Sequence, residues 1–261
     1  MLRITGCDET ALAVAAARLA REMLRGQLLA DGWSILHASA VTDPAGNTVL
    51  AFGPKGAGKT TCALLLARAG WRILANDRVF ARTDGDGVRI LPWPSAAAIG
   101  FGLLHALDLY DTVAQRVKDG EQLHPTQHPH VTHALLTGSR TPVRKPGSGK
   151  ELKPQFFPDQ LPDWLGLTLA TEGRAAQLLF PTITPDARPA VTGDGMLLGD
   201  NDFFHQATED RYPDVFGLLP PASNTTRCGT VAAALEQLPR HSLNLGDDAD
   251  ANTTLLTRTT G

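Results

Sequence analysis

Cysteine is nearly missing from this chain of 261 residues: Cys7, Cys62 and Cys228 are the whole supply. Thiols so few and so scattered make neither a disulfide framework nor a metal-ligand cluster. Their scarcity fits a reducing compartment, so a cytoplasmic location is expected. A surplus of positive charge is missing too. With 24 Lys and Arg against 27 Asp and Glu, the net charge is -3. That gives no global field to hold nucleic acid or an acidic membrane surface, and neither is expected as a partner. A secretory leader pattern is also missing. Asp8 and Glu9 stand where positive charge would be, and Arg18, Arg21 and Glu22 interrupt the alanine-rich run. The 18 residues from Ile90 to Leu107 are uncharged and touch the length of a membrane helix. Pro92, Pro94, Gly100, Gly102 and His105 fall among them, so a strand end, a turn and a buried helix start fit better. No internal repeat and no clear linker is visible, so residues 1–261 are read as one domain. What is left, 43% hydrophobic and 20% charged residues, is the composition of a globular chain.

Periodicity supplies the elements. Leu12, Ala16, Leu19, Met23 and Leu24 recur at helical spacing and predict one amphipathic helix over 9–30. "SILHASAVT" predicts a single strand over 34–42, "DPAGN" a turn, and "TVLAFG" a strand over 48–53. A helix follows over 60–69, closed by Gly70, with Cys62 as a small buried hydrophobe in its first turns. "WRILAND" predicts a strand over 71–77, and "RVFAR" and "GVRIL" a hairpin across "TDGDG". Strands alternating with helices argue for an α/β sheet. Beyond Gly100 the pattern loosens. "LLHALDLYDTVAQRV" reads as a helix, with Asp108 and Asp111 on one face. The stretch 138–155, "GSRTPVRKPGSGKELKPQ", reads as a mobile loop, "AAQLLFPTITP" as a strand and "TVAAALEQL" as a late helix. The closing "LGDDADANTTLLTRTTG" is polar and is expected to fray.

The most informative stretch is Gly53-Pro54-Lys55-Gly56-Ala57-Gly58-Lys59-Thr60, which fits G-x-x-x-x-G-K-[S/T] and lies between a predicted strand and a predicted helix. Polyphosphate carries dense negative charge. Glycines let the backbone curl until successive N–H groups point at phosphate oxygens. The helix N-terminus adds unpaired donors and partial positive charge. Lys59 is then expected to reach the β- and γ-phosphates, and the Thr60 hydroxyl to hold Mg²⁺. Lys55 adds a second cation, and Thr61 follows directly, so Gly53 through Thr61 are the expected nucleotide-binding residues. Three more residues flank the loop: Asp77 at the end of the following strand, Asn76 before it, and His37 on the preceding strand with Ser39 beside it.

"ILHASAV", "GPKGAGKTT" and "GWRILANDRV", in that order and at short spacing, resemble the catalytic domain of bacterial HPr kinase/phosphorylase and its smaller kinase-like relatives. The resemblance covers about residues 33–110, with 111–245 left as a variable acceptor region. His37 stands at the family histidine, Gly53 to Thr60 at the phosphate loop, Asp77 at the second of two acids, and Arg78 and Val79 after it. The resemblance implies an α/β P-loop fold of the kind shared with phosphoenolpyruvate carboxykinases. It also implies ATP and Mg²⁺, and transfer of a phosphoryl group to a serine-like hydroxyl. Two positions depart from it: Asn76 replaces the first acid, and "PSAAAIGFGLL" lacks the family's Glu and Arg. The resemblance therefore extends neither to the reverse, phosphorylase reaction nor to HPr as acceptor. Family members assemble, so a homo-oligomer is compatible with it.

The expected chemistry is a kinase in which Lys59, Asp77 and His37 are catalytic and Thr60 and Asp77 face the metal. Asp77 either holds Mg²⁺ through water or orients and deprotonates the acceptor, and His37 hydrogen-bonds Asp77 or the acceptor. The acceptor is a peptide, a small protein or a small molecule. The alternative is an ATPase switch or assembly protein with no acceptor, or a nucleotide sensor. A GTPase would want an Asn-Lys-x-Asp segment, which is absent. Among secondary signals, His124, His128, His130 and His133 are dense enough to suggest Zn²⁺, but their spacing favours a polar surface loop near the acceptor. Arg140, Arg144, Lys145, Lys150 and Lys153 form either a solvated loop or a lid over phosphates or an acidic acceptor. Arg188 and Arg211 are further arginine candidates, and "GDNDF" over 199–203 resembles a metal loop faintly.

Overall fold

Asp8 opens the first helix by accepting a hydrogen bond from the Ala11 N–H at 2.9 Å, as an N-cap carboxylate does. The computed structural model describes residues 3–85, 87–204, 216–218 and 224–261, without side-chain description at 224–227. Helix α1 spans Glu9–Ala30, as its spacing predicts, but its buried face is not the expected one. Glu22 and Arg25 are buried as an ion pair at 2.7 Å, while Met23 and Leu24 are exposed. The long stems of the charged residues cover apolar surface and their heads neutralise one another, which spacing alone does not reveal.

The strand expected over 34–42 is two strands. β1 (Ser34–Leu36) and β2 (Ser39–Thr42) join different ladders: β1 pairs with β5 (Val79–Asp84), whereas β2 lies between β3 (Asn47–Ala51) and β4 (Arg72–Ala75). His37 sits at the break, its backbone N–H donating to the Asp202 carbonyl at 2.8 Å. The hairpin of β5 with β6 (Gly87–Pro92) forms as expected.

One mixed sheet runs β1-β5-β6-β10-β3-β2-β4-β9, where β9 is Thr168–Leu169 and β10 is Gly173–Ile183. β10 is the spine. It runs parallel to β3 on one side and to β12 (Arg240–Leu245) on the other, and β12 carries the edge strand β11 (Ala190–Asp194). Alternate residues feed two cores: Val49, Ala51 and Leu179 face one, Leu50, Phe52, Leu178 and Phe180 the other. The first core lies under α2 (Lys59–Arg68), α4 (Tyr110–Lys118), α5 (Pro129–Thr137), α6 (Gln160–Leu165) and α8 (Ala249–Thr260). The second is covered by α7 (Asn224–Leu235) through Val231 and Leu235. The fold is thus a mixed α/β sheet with helices on both faces.

Two expectations fail in the second half, and the loop expected over 138–155 has more internal bonding than its composition suggests. The helix expected over 103–117 is α3 (Phe101–Ala106) and then α4, broken where Asp108 turns to φ 55°, so Asp108 and Asp111 do not share a helix face. The closing segment does not fray: Asp248 caps α8, whose Leu255 and Leu256 are buried against α2. The stretch 138–155 folds back on itself as a narrow ribbon, with Arg144 bridged to Glu151 and a Leu152 N–H bond to the Val143 carbonyl at 2.8 Å. It ends in β8 (Gln155–Phe156), which pairs with β7 (Ala97–Ala98). Among the described residues, no helix is long and apolar enough to cross a membrane.

Candidate active site

The loop between β3 and α2 holds its shape through glycine. Gly53, Gly56 and Gly58 have φ of 132°, 88° and 109°, a left-handed region where side chains are strained. A Cβ on Gly53 would lie 3.0 Å from the Ala57 Cβ, and one on Gly58 would lie 3.1 Å from Ile183. The Ala57 N–H closes the turn on the Pro54 carbonyl at 3.2 Å. α2 begins at Lys59, so its first amides open toward the loop without intrahelical partners. Lys59, 7% exposed, donates from Nζ to the carbonyls of Gly53 at 2.6 Å and Pro54 at 3.3 Å.

Past β4 the chain turns through Asn76 and Asp77. The Asn76 carbonyl accepts from Ser39 Oγ at 2.5 Å and from Thr60 Oγ1 at 3.3 Å, tying β2, the start of α2 and this turn together. Asp77 is half-exposed and held from two sides: His37 Nε2 lies 3.3 Å from Oδ1 and Arg78 Nε 3.4 Å from Oδ2. The Arg78 guanidinium lies over the Phe204 ring at 4.2 Å, and the same ring packs against His37. Partial burial pushes the Asp77 carboxyl up. The hydrogen bond from His37 and the charges of His37, Arg78 and Lys59 outweigh it and hold the group below the usual carboxylate value. Burial lowers the proton affinity of Lys59, and the charge of Lys153 lowers it further against the opposing pull of Asp77 and Asp202.

These groups open on one cleft of about 530 Å³. Pro54, Lys55, Gly56, Gly58, Lys59, Thr60 and Thr61 line it together with His37 and Asp77. Gly53 and Ala57 shape the loop from behind. Ser39 is fully buried on the Asn76 carbonyl and does not line the cleft. The rest of the lining comes from the start of α3, the ribbon, the end of β10 and the turn before α8. That turn contributes Asp247 and the first turn of α8 contributes Asn252, both of which the sequence reading missed. Asn252 is 3% exposed and bonds both the N–H and the carbonyl of Gly246, at 3.0 and 2.9 Å. The signal was there: "GDDAD" before an apolar pair is a helix-start pattern.

Other candidates lie elsewhere. None of His124, His128, His130 and His133 lines the cleft. His128 caps α5 by accepting from the His130 N–H, and His124 bonds the Thr126 hydroxyl at 2.7 Å. Asp111 pairs with Arg140 at 2.7 Å, away from the loop. Arg188 is exposed and Arg211 lies outside the described residues. The "GDNDF" segment forms a 3-10 turn whose Asp202 carboxylate accepts from the Gly199 N–H at 2.9 Å. Cys62 is the buried hydrophobe expected, its thiol pushed up to about 12 by burial. No group of three or more metal-binding side chains is found among the described residues.

Fold and site together define an α/β chain with a strand, a glycine-rich loop and a helix opening on a polar cleft. No family model matches the chain, and no curated protein matches it. Among solved structures, one of 41 matching chains is the HPr(Ser) kinase/phosphatase from Coxiella burnetii, 11% identical, with a TM-score of 0.30. The match covers 58% of this chain and 60% of that one. The likeness is distant, and the function has to be read from the site's own residues.

Proposed function

We propose that this protein is an ATP-dependent kinase that transfers the γ-phosphoryl group to a hydroxyl of a peptide, a small protein or a small molecule. The observation that carries the reading is that Asp77, strapped between His37 and Arg78, opens on the same cleft as Lys59 and the glycine loop. The loop fits a polyphosphate: its glycines hold a left-handed backbone that side chains would strain, and a Cβ at Gly53 or Gly58 would press on Ala57 or Ile183 and deform it. The Thr60 hydroxyl and the Asp77 carboxylate are hard oxygen donors of the kind magnesium takes. When bound, that ion would neutralise charge on the phosphates.

The loop amides and Lys59 hold the terminal phosphates and supply positive charge as the bond to the bridging oxygen loosens. Asp77 aims the acceptor hydroxyl at phosphorus. The new O–P bond forms, the bridging oxygen leaves with its electron pair on ADP, and the hydroxyl proton passes to Asp77 and on to water. A carboxylate held ionised is a weak base, but loose transfer releases the proton late, so orientation is the larger part of its work. His37 fixes the rotamer that makes this possible.

The test is incubation with γ-labelled ATP, Mg²⁺ and a panel of serine peptides and hydroxylated metabolites. Label on an acceptor is the expected result, with Lys59→Ala slower by about 10²-fold or more. Label released only as free phosphate would indicate an ATPase switch. Nucleotide binding without turnover would indicate a sensor.

A further inference from the structure

The ribbon that closes the cleft has two chemically different faces. Pro142 and Arg144 on one arm, Glu151 and Lys153 on the other, all line the cleft. Val143 and Leu152, the residues between them, pack against the core under α2. This is the period-2 alternation of a strand pair, with apolar residues inward and charges toward the opening. The ribbon is fixed at its base, where the Ile99 N–H donates to the Pro154 carbonyl at 3.1 Å and β7 pairs with β8. Its side chains reach the start of α3. A Cβ on Gly100 would meet Glu151 Oε1 at 2.8 Å and stand 3.7 Å from Lys153 Cε.

Lys153 is therefore placed in the cleft by a built scaffold, not by a wandering loop. Its ammonium has no hydrogen-bond or ion-pair partner among the described residues, in contrast to Arg144, which donates to the Gly149 carbonyl at 3.2 Å. Its charge is felt at Lys59, which rests on the loop carbonyls. Two cations set to act on each other across a cleft are stabilised by an anion between them.

Resting on the kinase reading above, we infer that Lys153 is a second phosphate-binding lysine of this site, contacting the terminal phosphate of the nucleotide from the ribbon while Lys59 grips it from the loop. The ribbon then reads whether a γ-phosphate is present. The loop amides bind the phosphates common to ATP and ADP, Lys59 reaches both the β- and the γ-phosphate, and Lys153 meets the γ-phosphate alone, so it adds affinity only for the triphosphate.

The experiment needs no acceptor. MgATP and MgADP are titrated into the wild-type protein, Lys153→Met and Lys153→Arg, with thermal melting as a check that each variant folds. Lys153→Met is expected to lose about 10-fold or more in MgATP affinity, the scale of one charge-assisted contact, and to hold its MgADP affinity. Lys153→Arg should retain most of the preference for ATP. Equal losses for both nucleotides, or no loss for either, would overturn the inference and leave the kinase reading standing. Absence of saturable binding of either nucleotide to the wild-type protein would overturn both.

Discussion

Gly53 to Thr61 build their part of the cleft from one continuous stretch, while the rest of the lining is gathered from the α3 start, the ribbon, the end of β10 and the turn before α8. The two lysines show the contrast. Lys59 is buried and bonded to carbonyls six and five positions before it. Lys153 reaches the same cleft from far along the chain, on a ribbon held by its own cross-strand bonds. A site made of backbone amides needs only glycines, a helix start and one cation at fixed spacing. A site made of side chains needs tertiary structure to bring them together. The first is set by local sequence and the second by packing.

If that contrast holds, the two parts should fail differently when damaged. The largest effect is expected at Asp77, which the local segment delivers to the cleft but which His37 must hold. Asp77→Asn keeps the size of the side chain and removes its charge, so turnover of labelled ATP should fall by about 10²- to 10⁴-fold while the melting temperature changes little. Unchanged turnover would mean that the carboxylate is only a turn residue, and that the local part of the site ends at the loop.

The same contrast explains what the sequence disclosed. The loop, α2 and most of the strand expected over 71–77 were readable because glycine, lysine and apolar runs act on near neighbours, although that strand stops at Ala75 and leaves Asp77 in the turn after it. The hairpin of β5 and β6 was readable for the same reason. His37 lines the cleft, but its place at a break between two strands was not foreseen, because the change of partner from β5 to β3 and β4 is a property of the whole sheet. The ribbon looked like a flexible tract because lysine, glycine and proline dominate "RKPGSGK", yet the decisive signal was the quieter alternation of Val143 and Leu152. α8 was hidden by its threonines. Several of them satisfy their hydroxyls on the carbonyl four residues earlier, as Thr253 does on Ala249 at 2.8 Å, while the Asp248 cap and the burial of Leu255 and Leu256 hold the helix.

A stability measurement sharpens the comparison next. Leu256 is fully buried and carries α8 onto α2, the helix that starts the phosphate loop. Leu256→Ala should cost about 2–5 kcal/mol in a urea titration, the range for a core leucine. A cost near zero would return the closing residues to the status of a frayed tail, and with them the contribution of Asp247 and Asn252 to the cleft. A full cost would show that the distant segment supports the very helix whose start the loop uses.

The smallest expected effect concerns the strap around Asp77. Its carboxyl is held below the ordinary value of 3.8, so the folded state binds that proton less readily than the unfolded chain. Stability from this group is then fully present above the ordinary value and is lost as the pH falls toward and through the lowered one. Half of the side chain faces water, so screening keeps the increment small. Urea midpoints measured from pH 7 down to about 3 should fall more steeply for the wild-type protein than for Asp77→Asn. Salt should shrink the difference, because the Arg78 and Lys59 contributions are Coulombic. If the two curves ran parallel, the His37–Asp77–Arg78 contact would carry no charge coupling, and the local part of the site would owe its geometry to the backbone alone.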